Sequence, residues 1–199
     1  MTQKNRNVSD SVDPVAFISG CFSPEARALA QEFLKNDWHV SVTDPKNAPE
    51  DSDSQRFHAE EATPSDTGEL SAAIIHTAEL FGGIDCLVYC NFQPARYHMV
   101  LDIDEEEWDR VFSNYLKGFF LACKCAIPYM LGRERPCILL LLPRREQSGV
   151  HETVRSIAEE QMVALMGKEL SPYSLVVKCF SMDQEEELNS WIRNESFTQ

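Results

Sequence analysis

Long apolar runs are scarce in this sequence. The longest, Cys137–Leu142, has six residues, far short of the roughly 18–20 that cross a bilayer, so no membrane-spanning helix is expected. Positive charge is also in short supply. Lys and Arg total 18 against 32 Asp and Glu, a formal net charge of −14, and a chain with that balance repels phosphate backbones and anionic lipid. Neither nucleic acid nor a membrane is expected as a partner. Met1–Asp13 has no apolar stretch such as forms the centre of a secretory leader, so a cytoplasmic location is expected, and with it an absence of disulfides.

The seven cysteines are not spaced to hold metal. Cys86 and Cys90 form CxxxC, and Cys123 and Cys125 form CxC. Zinc sites instead use CxxC pairs with a second Cys or His pair downstream. No metal site is expected, and in apolar surroundings these thiols read as small hydrophobes.

What is present suits one core: 43% of 199 residues are hydrophobic, and a chain of that length buries most of its apolar surface as a single domain. Residues 1–13 read as a flexible tail, 14–188 as the domain and 189–199 as a weakly structured end, with a polar loop at Lys46–Ser54. β-branched and apolar runs predict strands at Val15–Ser19, His39–Thr43, Asp85–Tyr89, Cys137–Leu142 and Leu175–Phe180, with a weaker one at Arg56–Glu60. Amphipathic spacing predicts helices over Pro24–Asn36, Thr67–Phe81, Asp104–Leu131 and Glu152–Leu170. Strands alternating with helices make an α/β protein, a parallel sheet covered on both faces.

Two helices are more apolar than a sheet-packed helix needs to be. From Asp104 as N-cap, Trp108, Phe112, Tyr115, Phe119 and Phe120 recur with other apolar residues around more than half the helical circumference. A stripe of about 100° suffices for packing on one sheet. Glu152–Leu170 repeats the theme with Val154, Ile157, Met162, Leu165 and Met166. The excess predicts an oligomer interface formed by Trp108, Phe112, Tyr115, Phe119, Phe120, Met162 and Met166.

Four blocks then resemble one family in order and spacing. They are Val15–Asp44, the run Phe81-Gly82-Gly83-Ile84-Asp85-Cys86-Leu87-Val88, the stretch Trp108–Gly118 around Asn114, and Gly167-Lys168-Glu169-Leu170-Ser171-Pro172-Tyr173. Together they resemble the short-chain dehydrogenase/reductase family over roughly Val15–Ser181. The resemblance implies a Rossmann-like, doubly wound parallel sheet in three α/β/α layers. It also implies that Asp104–Leu131 and Glu152–Leu170 form the four-helix interface of the family, and that the C-terminal substrate region is truncated.

The functional positions depart from the family pattern. In the family the first strand runs into T-G-x-x-x-G-x-G, whose glycines let the backbone approach a dinucleotide pyrophosphate. Here the stretch is Ser19-Gly20-Cys21-Phe22-Ser23-Pro24-Glu25-Ala26, and of the glycines only Gly20 remains. Asp44, 24 residues after Gly20, matches the acidic residue that holds the adenosine ribose. Phe92 stands where the family has a glycine facing the nucleotide. Asn114 matches the Asn of the proton relay, but the Ser, Tyr and Lys positions fall on Pro143, Glu152 and Ser156, and no Y-x-x-x-K occurs anywhere. Gly20, Asp44 and Asn114 are therefore vestigial on this reading, with no cofactor expected in this chain.

The resemblance implies a catalytically inactive subunit that assembles, as a heterotetramer or homo-oligomer, with a homologous active subunit. That partner would hold NAD and oxidise an alcohol, in the manner of hetero-oligomeric family members acting on CoA thioesters. The alternative is a stand-alone regulatory or ligand-binding protein using the vacated crevice of the sheet. New chemistry built on His151 and Glu152, or on Cys90, is a third reading.

Overall fold

A computed structural model describes residues 13–20, 24–43, 55–63, 65–90, 98–143, 149–181 and 184–193. The expected tail before Asp13, the Lys46–Ser54 loop, Asp44 and Phe92 lie outside this set. Among the described residues six strands form one parallel sheet: β1 (Val15–Ser19), β2 (His39–Val42), β3 (Phe57–Ala59), β4 (Cys86–Tyr89), β5 (Cys137–Leu142) and β6 (Val176–Ser181), in the order β3-β2-β1-β4-β5-β6. Helices α1 (Pro24–Lys35), α2 (Thr67–Phe81), α3 (Glu105–Val111), α4 (Gly118–Met130), α5 (Val150–Leu170) and α6 (Glu185–Arg193) cover it.

The inner strands β1, β4 and β5 are buried on both faces, so their side chains divide by the two-residue pleat. Ala16, Ile18, Cys86, Val88, Leu139 and Leu141 pack with α1 and α6 on one face. Phe17, Leu87, Tyr89, Ile138, Leu140 and Leu142 pack with α2, α4 and α5 on the other. The result is the expected three-layer α/β/α arrangement. At the bottom of the sheet Asp85 accepts the Val15 N–H at 2.9 Å and pairs with Arg133 through two bonds of 2.8 and 2.6 Å, tying β1, β4 and the segment after α4 together. Among the described residues no helix is long and apolar enough to cross a membrane.

The structure departs from the sequence reading in three places. Residues 189–193 are not a loose end. They complete α6, which lays Leu188, Trp191 and Ile192 into the core beside Phe180. Their i, i+3, i+4 spacing after the acidic first turn is a helix signal that the short segment obscures. The helix expected over Asp104–Leu131 is also not uniform. Asp104 does cap it, its Oδ1 accepting the Glu107 N–H at 2.7 Å, but a π-helical turn, Phe112–Lys117, separates α3 from α4. Finally, α5 starts at Val150, two residues ahead of the expected Glu152.

Candidate functional site

At β1 the chain's direction of travel across the sheet reverses, with β2 and β3 to one side and β4 to β6 to the other. The strand ends diverge there into the crevice where α/β proteins take ligands. Gly20 closes β1 with φ of 86°, a left-handed conformation that glycine adopts without strain, and its N–H donates to Thr43 Oγ1 at 3.0 Å. The Cys90 N–H donates to the Ser19 carbonyl at 2.9 Å, closing the floor between β1 and β4. Ser19 Oγ is buried beneath this turn without a hydrogen-bond partner. The helix that follows opens at Pro24, which has no N–H, with Glu25 next in sequence.

The first half of α5 encloses charge and exposes apolar side chains, whereas further along Val163 and Leu170 are buried and Lys168 and Glu169 exposed. His151, Arg155 and Glu159 are buried, while Val150, Val154, Ile157 and Leu165 are exposed, the last two by 53% and 64%. The buried charges form a chain of contacts with α3 and the π turn. Glu107 receives two bonds from Arg110, at 2.8 and 2.7 Å, and its Oε1 lies 3.4 Å from His151 Nε2. The Arg155 guanidinium lies over the Tyr115 ring, 4.5 Å from its centroid, and pairs with Glu159 one turn along. Tyr89 in β4 donates its hydroxyl to the Asn114 carbonyl, which fixes the π turn to the sheet.

Electrostatics follow from these contacts. Partial burial works to raise the Glu107 carboxyl, but hydrogen bonds and charge from Arg110 and His151 outweigh it and hold the group below the usual range. Burial raises the Tyr115 phenol against the opposing pull of Arg155 and Arg110, so this phenol is a poor proton carrier near neutrality. Burial pushes Glu159 up to about 7 although Arg155 pulls it down. His151 Nδ1 and Glu152 Oε2 are buried without hydrogen-bond partners, the ring of His151 lying so close to Gly149 that a Cβ there would sit 3.0 Å from it.

The residues singled out by sequence fall as follows. Asn114 is half-buried in the π turn, Glu152 and Ser156 are half-buried on α5, and Pro143 is half-buried just beyond β5. Cys90 is buried at the end of β4. Of the expected interface residues, Trp108 and Phe120 are exposed by 42% and 47%, and Phe112, Met162 and Met166 are half-buried. Phe119 and Tyr115 do not belong with them. Phe119 is fully buried against Tyr89, 5.6 Å between ring centroids, and Tyr115 is enclosed under Arg155. Both lie on the buried stripe that runs through Val111, Tyr115, Phe119, Ala122 and Ala126, a stripe that the apolar residues around the rest of the helix mask in the sequence. The buried Arg155–Glu159 pair was hidden in the sequence because opposite charges at i, i+4 read as an exposed ion pair. The one signal was their place on the same helical stripe as Val163 and Leu170.

A cavity of about 250 Å³ lies where the start of α3 meets the start of α5, lined by Val100, Ile103, Asp104, Glu105, Trp108 and Val150. It is smaller than the roughly 300–1,000 Å³ of ligand pockets.

The comparisons with known proteins agree with this geometry. The profile of the family described as short chain dehydrogenase matches residues 14–141, well over half of the chain. The protein belongs to the short-chain dehydrogenase family. It is 30% identical over 130 residues to 2-(R)-hydroxypropyl-CoM dehydrogenase of Xanthobacter autotrophicus, a match covering 59% of this chain and 51% of that protein. The match thus spans about half the length of that curated relative. A short chain dehydrogenase/reductase of Macrophomina phaseolina is 29% identical over 156 residues, 70% of this chain and 85% of that protein. Among solved structures, a short-chain dehydrogenase/reductase from Brucella melitensis superposes with a TM-score of 0.76 at 22% identity, covering 89% of this chain and 80% of that one. A short chain oxidoreductase from Pseudomonas aeruginosa, described as containing an atypical catalytic center, gives 0.74 at 15% identity, over 94% and 77%.

Proposed function

We propose that this chain is a catalytically inactive member of the family that assembles through α3, α4 and α5 with a homologous, active short-chain dehydrogenase. The partner supplies the NAD site and oxidises the alcohol. The observation that carries this reading is the inversion of the first half of α5, with charge enclosed and Val150, Val154 and Ile157 turned outward, and with Leu165 exposed further along. Exposed Trp108 and Phe120 extend the apolar surface onto the neighbouring helices, and contiguous apolar surface of this kind marks contact with another protein. The loss of the cofactor glycines, and Pro143, Glu152 and Ser156 at the positions of the family's Ser, Tyr and Lys, support an inactive role. Two helices from each chain make the four-helix seam, and two such pairs make a heterotetramer.

Co-expression with a complete short-chain dehydrogenase from the same source tests the proposal. The two chains are expected to copurify as one assembly whose NAD-linked turnover depends on the partner's catalytic Tyr and is unchanged by Glu152→Ala in this chain. Turnover by the purified chain alone, or a chain that stays monomeric in the presence of the other, would overturn it.

A further inference from the structure

At the outer edge of the sheet, on the face that also carries α4 and α5, three side chains meet that no part of the dehydrogenase chemistry uses. Phe57 and Ala59 of the edge strand β3 turn toward the face covered by α1. By the two-residue pleat, His58 and then Glu60 turn the other way, toward α2. The Glu60 N–H donates to the Val42 carbonyl at 3.0 Å, which holds this residue to β2 just past the end of its own strand. From α2, His76 brings its Nδ1 to 3.1 Å from Glu60 Oε2, and His58 Nε2 lies 3.6 Å from the same oxygen. One ligand atom from each of the three residues fits within 4.8 Å of the others.

We propose that His58, Glu60 and His76 bind a divalent transition-metal ion of the zinc type, clamping β3 to α2. A tetrahedral ion with ligands at about 2.0–2.2 Å holds neighbouring ligand atoms roughly 3.3–3.6 Å apart, and the two measured edges, 3.1 and 3.6 Å, lie around that spacing. His58 Nε2 supplies a second, independent observation. It is buried with no hydrogen-bond partner, and 3.6 Å is too long for a hydrogen bond to Glu60. An enclosed imidazole nitrogen left unpaired costs free energy, and a metal ion between it and the carboxylate removes that cost.

The donor set selects the class of ion. Two imidazoles and one carboxylate suit zinc and its neighbours, and three protein ligands leave a fourth position for water. Calcium and magnesium prefer all-oxygen cages. The chain's net charge of −14 raises the local concentration of any cation. Cysteine spacing is blind to such a site, because its ligands come from a strand and a helix.

Chelator-treated full-length protein titrated with zinc chloride by calorimetry, and with cobalt(II) by visible absorption, tests the assignment. One equivalent is expected to bind with a dissociation constant below about 100 μM, with the absorption bands of tetrahedral cobalt. His76→Ala, at a half-exposed helix position, and Glu60→Gln are each expected to weaken binding at least about tenfold while circular dichroism is unchanged. Zinc is expected to raise the thermal midpoint of the wild type and not of His76→Ala. Binding weaker than about 100 μM, or equally tight in His76→Ala, would overturn the proposal, the latter by placing the ligands elsewhere.

Discussion

The guanidinium of Arg155 lies over the ring of Tyr115, 4.5 Å from its centroid, and holds the buried Glu159 one turn further along α5. A cation between an aromatic face and a carboxylate, sealed under the outer surface of two helices, couples the stability of the chain to charge in its interior. Burying such a pair costs desolvation that mutual attraction only partly offsets, and removing one member leaves the other exposed to the full cost.

Arg155→Met keeps the length and apolar stem of the side chain but leaves Glu159 without its cation. The variant is expected to lose on the order of 3 kcal/mol of stability at pH 8, read from urea denaturation, and clearly less at pH 5, where Glu159 can take up a proton. Equal losses at both values would mean that packing on Tyr115, not charge, is what Arg155 contributes.

The elevated Glu159 carboxyl gives the wild type a pH dependence of definite sign. Its folded value of about 7 lies above the ordinary carboxyl value of 4.5, so the folded state binds this proton more tightly than the unfolded chain. The contribution is fully present below about pH 4.5, declines as pH rises toward 7 and is lost above that. Measured against Glu159→Gln, which cannot titrate, the unfolding free energy of the wild type should fall by up to about 3 kcal/mol between pH 4.5 and 7.5. A difference that stays flat would show that Arg155 keeps the carboxylate ionised throughout.

Charge placed on the outer stripe should break the assembly and spare the fold. Ile157→Asp and Phe120→Asp, both at side chains exposed in the single chain, are expected to dissociate the complex in light scattering with unchanged circular dichroism, since an unpaired charge in a desolvated seam costs several kcal/mol. Phe119→Asp, whose ring is fully enclosed, should unfold the chain instead. Retention of the assembly in both exposed-site variants would place the interface elsewhere.

Isothermal titration of the isolated chain with NAD and with NADP is expected to show no dissociation constant below about 100 μM, near −5.5 kcal/mol. Pro24 removes a donor at the start of α1 and Glu25 adds negative charge beside it, and Gly20 alone supplies the turn. Tight binding of either dinucleotide would mean that the chain keeps a working cofactor site.

The sheet was legible from sequence because its inner strands are buried on both faces. Continuous runs such as Cys137-Ile138-Leu139-Leu140-Leu141-Leu142 can be satisfied only between two layers of helix, and the observed β1 and β5 coincide with the predicted spans. Family membership was legible for a related reason, since the glycine-rich turn at Phe81–Asp85 and the Asn114 segment sit at fixed places along the chain. Tertiary structure alone decided which side of each helix faces inward. Phe119 enters the core in line with Val111, Tyr115 and Ala122 while its neighbour Phe120 stays outside, and a helix that is apolar around most of its circumference does not show in sequence which arc faces inward. It also decided the fate of charge. Arg155 and Glu159 look like a solvated pair in sequence and are enclosed in the fold, and His58, Glu60 and His76 become neighbours only because β3 and α2 pack on the same edge of the sheet. Local pattern reports how a residue relates to its own helix or strand, whereas burial and the meeting of distant side chains are set by which elements pack together.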